Sequence, residues 1–193
     1  MRLFSNYTRK SKSFIILVVR KIRTKIKKQF YLFFNDGLRI DGHVHFGSNL
    51  FISTTDDGVI EIYDDVYISD NVRIIAKSGK IKISSGTFIG PGVVIVAHNS
   101  IYIGENSLIA EYCTIRDQSH ILDKGIIKEA GMAVEAINIG SDTWIGAKAT
   151  ILKGVTVGDA AVIGANSVVN RSMDGGKIYA GSPAKFIKER IVE

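Results

Sequence analysis

A large apolar residue returns at every sixth position through most of this chain. Ile139, Ile145, Ile151, Val157, Ile163 and Val169 keep step, and Gly140, Gly146, Gly158 and Gly164 directly follow four of them. Four places after each of the first five stands a small or branched residue: Thr143, Ala149, Val155, Ala161 and Ser167. Six residues are too few for a helix–turn–helix repeat, and the step is too regular for separate hairpins. The pattern predicts an all-β chain, a parallel β-helix in which each hexapeptide forms one side of a coil. Glycine after the core residue is expected at a tight corner, with a positive φ and no space for a side chain.

The period continues upstream once one corner is allowed to vary. Ile40, Phe46 and Ile52 form a triplet, followed by Ile62, Ile68 and Ile74, by Ile83, Ile89 and Ile95, and by Ile103, Ile109 and Ile115. From Ile40 to Val157 the triplets start 22, 21, 20, 36 and 18 residues apart. Three hexapeptides account for 18 residues, so all of the excess falls at a single corner of a triangular prism. Six coils about 4.8 Å apart make a column on the order of 29 Å long.

Length and composition fit one such domain: 193 residues, 46% hydrophobic, with two prolines and no sign of a linker. The expected organisation is a basic amphipathic arm over 1–35, the β-helix over 36–182 with an inserted loop at 118–136, and a tail or short C-terminal helix over 183–193. Cys113 is the only cysteine and falls at the small inward position four after Ile109, which predicts a buried thiol. No intrachain disulfide is possible, so a reducing cytoplasm is expected.

The net charge of +6 is unevenly spread. Residues 1–35 hold 10 of the 25 basic residues and no acid, which leaves the remainder at −4. Phe14, Val18, Ile22, Ile26 and Phe30 recur four apart among these basic residues, the pattern of an amphipathic helix. The apolar run from Phe14 to Val19 falls far short of the roughly 20 residues that span a bilayer. No small-residue cleavage site follows it, which argues against a secretory signal. Two uses of the arm stay open at this level: a cap over the first coil, or a helix lying on an anionic membrane surface. Nucleic acid is not an expected partner, because no recognisable nucleic-acid fold or aromatic platform accompanies the arm.

Chemistry is expected where the repeat is interrupted, since loops vary while a solenoid scaffold stays rigid. The long insertion opens with Thr114-Ile115-Arg116-Asp117-Gln118-Ser119-His120, which sets His120 at its mouth. An imidazole there is suited to general-base work near neutral pH. Asp117 is expected either to orient that imidazole or bind the acceptor, or to be a solvated loop carboxylate. His98 and Asn99 lie at the same corner one coil earlier, beneath the loop, as polar corner residues or acceptor contacts. His43 and His45, near the start of the prism, and the aromatic cluster Phe30, Tyr31, Phe33 and Phe34 are expected to be structural.

Three stretches carry a resemblance. Ile139-Gly140-Ser141-Asp142-Thr143-Trp144-Ile145-Gly146-Ala147, then Ile151-Leu152-Lys153-Gly154-Val155-Thr156-Val157-Gly158, and finally Ala180-Gly181-Ser182-Pro183-Ala184-Lys185 resemble the left-handed β-helix acetyltransferases. The likeness extends over residues 40–190, in a family that includes galactoside, serine and capsule or lipopolysaccharide O-acetyltransferases. Left-handedness is implied by the resemblance alone, because ordinary sheet crossovers are right-handed.

The resemblance also implies roles. His120 matches a loop histidine that deprotonates the acceptor hydroxyl, which attacks the acetyl thioester of acetyl-CoA directly. Trp144 matches a tryptophan lining the acetyl and pantetheine channel, and the Ala147 N–H matches a donor to the thioester oxygen. Ala165, Asn170, Arg171 and Lys185 match positions along the pantetheine arm and phosphates. Asn170-Arg171 stands where members often have Thr-Lys, which keeps the charge and changes its geometry. A homotrimer is implied by the family and fits flat faces that can pack side by side. No metal is expected.

The function expected from all this is O-acetylation of a carbohydrate hydroxyl, in modification of a surface polysaccharide such as capsule or lipopolysaccharide. N-acetylation of an amino sugar on the same scaffold is the first alternative, and a non-catalytic β-helix subunit the second. A zinc carbonic anhydrase on this fold needs a His-x-x-x-x-His pair that His43, His45, His98 and His120 do not supply.

Overall fold

The structure, a computed structural model, describes Ile22 and residues 24–123 and 125–191. Six coils stack into a three-sided parallel β-helix. Face A is built from Leu38–Ile40, Val59–Ile62, Lys80–Ile83, Ser100–Ile103, Ile137–Ile139 and Thr156–Val157. Face B follows with Val44–Phe46, Val66–Ile68, Phe88–Ile89, Leu108–Ile109, Trp144–Ile145 and Val162–Ile163, and face C with Phe51–Thr55, Arg73–Lys77, Val94–Ala97, Thr114–Arg116, Thr150–Ile151 and Val168–Val169.

The six-residue period is written directly into the register. Ile83 lies over Ile103 and Ile139 on face A, Ile89 over Ile109 and Ile145 on face B, and Ile95 over Ile115 and Ile151 on face C. All nine are fully buried. Burying one such side chain contributes about 1.5–3 kcal/mol relative to leaving it in water. A slip of one residue would turn every one of them outward, so the register is strongly specified. Every excess residue falls between face C and the next face A, as the triplet spacing predicts. Cys113 is buried, its thiol donating to the Gly146 carbonyl at 3.1 Å.

The corner glycines work differently from the expectation. Gly140, Gly146, Gly158 and Gly164 do not have positive φ; the left-handed residues lie two places later, at Asp142, Lys148, Ala160 and Asn166. What excludes a side chain is the coil above: a Cβ on Gly146 would stand 2.6 Å from the Ala165 nitrogen, and one on Gly158 2.4 Å from the Gly175 nitrogen. Glycine here serves close backbone approach.

Both ends of the column are covered. Helix α1, residues 24–34 with Ile22 also helical, lies over the first coil, where edge carbonyls have no preceding coil to donate to them. Lys27 donates to the carbonyls of Phe46 and Gly47, Lys28 to Gly42 at 3.0 Å, and the Tyr31 hydroxyl to Leu50 at 3.3 Å. Burial raises the Tyr31 pKa above its ordinary value. Asn35 then accepts from Thr54 N–H at 3.0 Å. The apolar stripe expected on this arm does not face the prism: Ile22, Ile26 and Phe30 are exposed, and Phe14 and Val18 lie outside the described residues.

The expected short C-terminal helix is instead a strand. Lys177–Ala180 extends face B beyond Val162–Ile163, and Lys185–Glu189 turns back antiparallel to it. The exposed ladder of the last face-B strand needed a partner, and this hairpin supplies one. Arg190 ties the end down, donating to the carbonyls of Asp142 and Ala160 at 3.0 and 3.1 Å and pairing with the Asp142 carboxylate at 2.9 Å.

Candidate active site

The insertion at the C–A corner between the fourth and fifth coils is a hairpin with a fixed root. Gln118–His120 pairs antiparallel with Met132–Val134, with His120 opposite Met132. Asp117 is fully buried, and its carboxylate accepts the backbone N–H groups of His98 at 2.8 Å and Asn99 at 2.7 Å, one coil below. Its carbonyl accepts the Glu135 N–H at 2.9 Å. Glu135 in turn accepts Gly154 N–H at 3.1 Å and pairs with Lys153, one coil above. The root is thus tied to the coil on either side, and the exposed His120 stands three residues out from it.

Asp117 therefore departs from both expectations. It is neither solvated nor turned to the imidazole, because both carboxylate oxygens accept amides of the 98–99 corner. This bond confirms that His98 and Asn99 lie beneath the loop, His98 half-buried and Asn99 exposed. The far part of the hairpin is open and mixed in character, with Leu122, Ile126 and Ile127 exposed among Asp123, Lys128 and Glu129.

A second group of residues gathers on face B and the B–C corner. Trp144 points outward, 51% exposed, in a row that runs Phe88, Leu108, Trp144, Val162 along the column. Ala147 and Ala165 occupy equivalent corner positions in consecutive coils. The Ala147 carbonyl accepts Asn166 N–H at 2.8 Å, whereas its own N–H has no partner among the described residues. Two coils earlier the same position is Pro91, which has no N–H to give, so coil stacking does not use that donor. Lys185 opens the last strand nearby, next to Ala184, whose N–H binds the Val168 carbonyl at 2.8 Å.

One residue escaped the sequence reading. Tyr112 sits at this corner with φ +56°, a conformation that aromatic residues rarely take, and is exposed. The signal was present in the period: a tyrosine stands where neighbouring coils have Gly92, Lys148 and Asn166.

The two groups do not meet within one chain. Asn170 and Arg171, both exposed, leave face C at the C–A corner two coils beyond the hairpin, on His120's side of the prism. In a three-sided coil that corner stands across from face B, where Trp144 lies. His43 and His45 belong to the first coil, His45 stacked on Tyr67 with ring centroids 4.0 Å apart, remote from both groups.

Comparison with known proteins agrees with this architecture. The family described as bacterial transferase hexapeptide (six repeats) matches residues 136–171. A protein of Escherichia coli (strain K12) assigned as a lipopolysaccharide biosynthesis O-acetyl transferase is 30% identical over 171 residues, 79% of this chain and 74% of its own length. The chain belongs to the hexapeptide-repeat acetyltransferases. A Mycobacterium tuberculosis protein assigned as an acetyltransferase is 34% identical over 152 residues, 77% of this chain; this hexapeptide-repeat acetyltransferase spans 51% of that relative's length. Among solved structures, an N-acyltransferase variant from Bacillus cereus in complex with dTDP-4-amino-4,6-dideoxyglucose and coenzyme A shares the fold, with TM-score 0.70 and 22% identity, covering 88% of this chain and 90% of that one.

Proposed function

We propose that this protein transfers an acetyl group from acetyl-CoA to a carbohydrate hydroxyl, as a homotrimer acting on a surface polysaccharide or its precursor. The observation that carries the reading is the exposed imidazole of His120, borne on a hairpin whose root is anchored to two coils. A sugar hydroxyl has a pKa far above neutrality, so its attack is slow without a positioned base, and general-base help contributes typically about 10² to 10⁴-fold. In this reading His120 takes the hydroxyl proton as the oxygen attacks the thioester carbonyl carbon. The unpartnered Ala147 N–H meets the developing oxyanion. Collapse breaks the carbon–sulfur bond, and the coenzyme A thiolate takes the proton back from the His120 imidazolium and leaves as the thiol. No covalent intermediate on the protein is needed.

The separation of His120 from Trp144 supports a shared site. One copy would supply the hairpin and its neighbour the face-B groove of Trp144, Tyr112, Ala147 and Ala165, with Leu122, Ile126 and Ile127 of the hairpin tip packed between them. Lys185 and Arg171 are the cations, and Asn170 the neutral amide, offered to the coenzyme phosphates. His98 and Asn99, under the hairpin root, are the residues offered to the acceptor. The relationship to a protein assigned to lipopolysaccharide O-acetylation supports a sugar acceptor.

The test is acetyl transfer from labelled acetyl-CoA to a panel of sugars and oligosaccharides, followed by mild alkali. An ester product is released by alkali and supports the proposal. An alkali-stable amide would reassign the enzyme to N-acetylation, and no transfer to any carbohydrate would overturn the reading.

A further inference from the structure

The side of α1 turned away from the prism has no partner in the structure. Thr24, Lys27, Lys28, Tyr31 and Asn35 face the first coil, whereas Ile22, Ile26, Phe30, Phe33 and Phe34 lie half a turn away and are exposed, Phe33 at 79%. Phe34 touches both Phe30 and Phe33, with ring centroids 4.8 and 5.0 Å apart, so the three rings form one aromatic patch. Capping the column and presenting an apolar face are therefore compatible in this helix: its polar side does the first and leaves the second open.

Charge decides what covers the patch. Residues 1–35 carry ten basic residues and no acid, and Lys27 and Lys28 account for only two of them in binding edge carbonyls. A second copy of the same arm would bring an equal positive charge against this one. An anionic lipid surface satisfies both properties at once, taking the aromatic side chains at the head-group boundary and the cations among its phosphates. Among the described residues no helix is long and apolar enough to cross a membrane, so the contact is with one leaflet.

We propose that Ile22, Ile26, Phe30, Phe33 and Phe34 form a docking face for an anionic membrane. Because α1 lies over the end of the column, the bilayer lies across that end and the coils rise away from it. The hairpin root, between the fourth and fifth coils, then stands on the order of 15–20 Å from the first coil. Docking itself is independent of acetyl transfer. Only its purpose, bringing lipid-anchored glycans within reach of His120, rests on the function proposed above.

The full chain is sedimented with phosphatidylcholine vesicles with and without phosphatidylserine. Binding is expected only to the phosphatidylserine vesicles, to weaken at high salt, and to fall at least about tenfold in Phe33→Ser/Phe34→Ser. That variant should retain acetyl transfer to a soluble acceptor, which verifies its fold. Trp144, the only tryptophan, gives a second reading from the fifth coil. Brominated phosphatidylserine vesicles should leave its emission unchanged, whereas the emission added by Phe33→Trp should be quenched. No binding to phosphatidylserine vesicles, or equal binding to neutral ones, overturns the proposal. So does binding that survives Phe33→Ser/Phe34→Ser, which would mean that residues 1–21 or another copy cover the patch.

Discussion

The B–C and C–A corners of the same coils were put to opposite uses. At B–C the chain turns in four residues in every coil, a left-handed residue third, as in Gly146-Ala147-Lys148-Ala149 and Gly164-Ala165-Asn166-Ser167. At Gly146 even a Cβ would collide with backbone of the next coil, 2.6 Å from the Ala165 nitrogen. At C–A the turns vary in length and culminate in the hairpin. Lengthening a surface loop costs little entropy, about 0.6 kcal/mol per doubling. A flat wall of constant turns and a variable arm would divide the work in the reaction we propose, the wall taking the coenzyme and the arm the acceptor.

The hardest test of this division is His120→Ala. We expect kcat to fall at least about 10²-fold with KM for acetyl-CoA nearly unchanged, because a general base acts in the transition state. Trp144→Ala should lose about tenfold in kcat/KM, with KM for acetyl-CoA raised. Mixing unfolded His120→Ala and Trp144→Ala chains and refolding them together should restore about a quarter of the activity, the share of random pairings that bring an intact arm to an intact wall. No recovery in demonstrated mixed trimers would sink the shared site, and light scattering that finds only monomers would do the same.

Asp117→Ala probes the arm's root. Two backbone amides lose a charged, fully buried acceptor, which should cost about 2–3 kcal/mol and lower Tm by roughly 5–10 °C. The loosened hairpin should also reduce kcat while sparing KM for acetyl-CoA, a split that separates positioning from general destabilisation.

The smallest expected effect belongs to the wall's interior. Burial pushes the Cys113 thiol from 9.0 up to about 11. A raised folded-state pKa means that the folded chain holds this proton longer than the unfolded one. Stability from this group is therefore complete below pH 9 and declines between about pH 9 and 11. Denaturation followed across that window should show a decline that flattens in Cys113→Ala, and native Cys113 should resist thiol reagents at pH 8.

How much of this was legible in the sequence follows from what each signal encodes. The isoleucine period fixed the coils and the one variable corner, because core registry must repeat with the backbone. It did not reveal where Asp117 points, since a carboxylate reads as exposed until the amides of residues 98 and 99 are seen converging on it. Nor did the α1 stripe tell which side meets the protein: amphipathicity marks an apolar face, while free carbonyls on the first coil drew in the lysine side instead. Lys185–Glu189 read as a tail because five residues after a turn carry too little periodicity to distinguish helix from strand. The pairing of His120 with Trp144 across copies, which we propose, has no local signature in the sequence.

The lysines over the first coil have one more consequence. A β-helix is a stack with two sticky ends, and identical columns offer each other the hydrogen-bond ladder that one coil offers the next. Lys27, Lys28 and Tyr31 at one end, and the hairpin secured by Arg190 at the other, act as terminators of growth. A handful of side chains at the two ends thus opposes the end-to-end stacking that would make a filament.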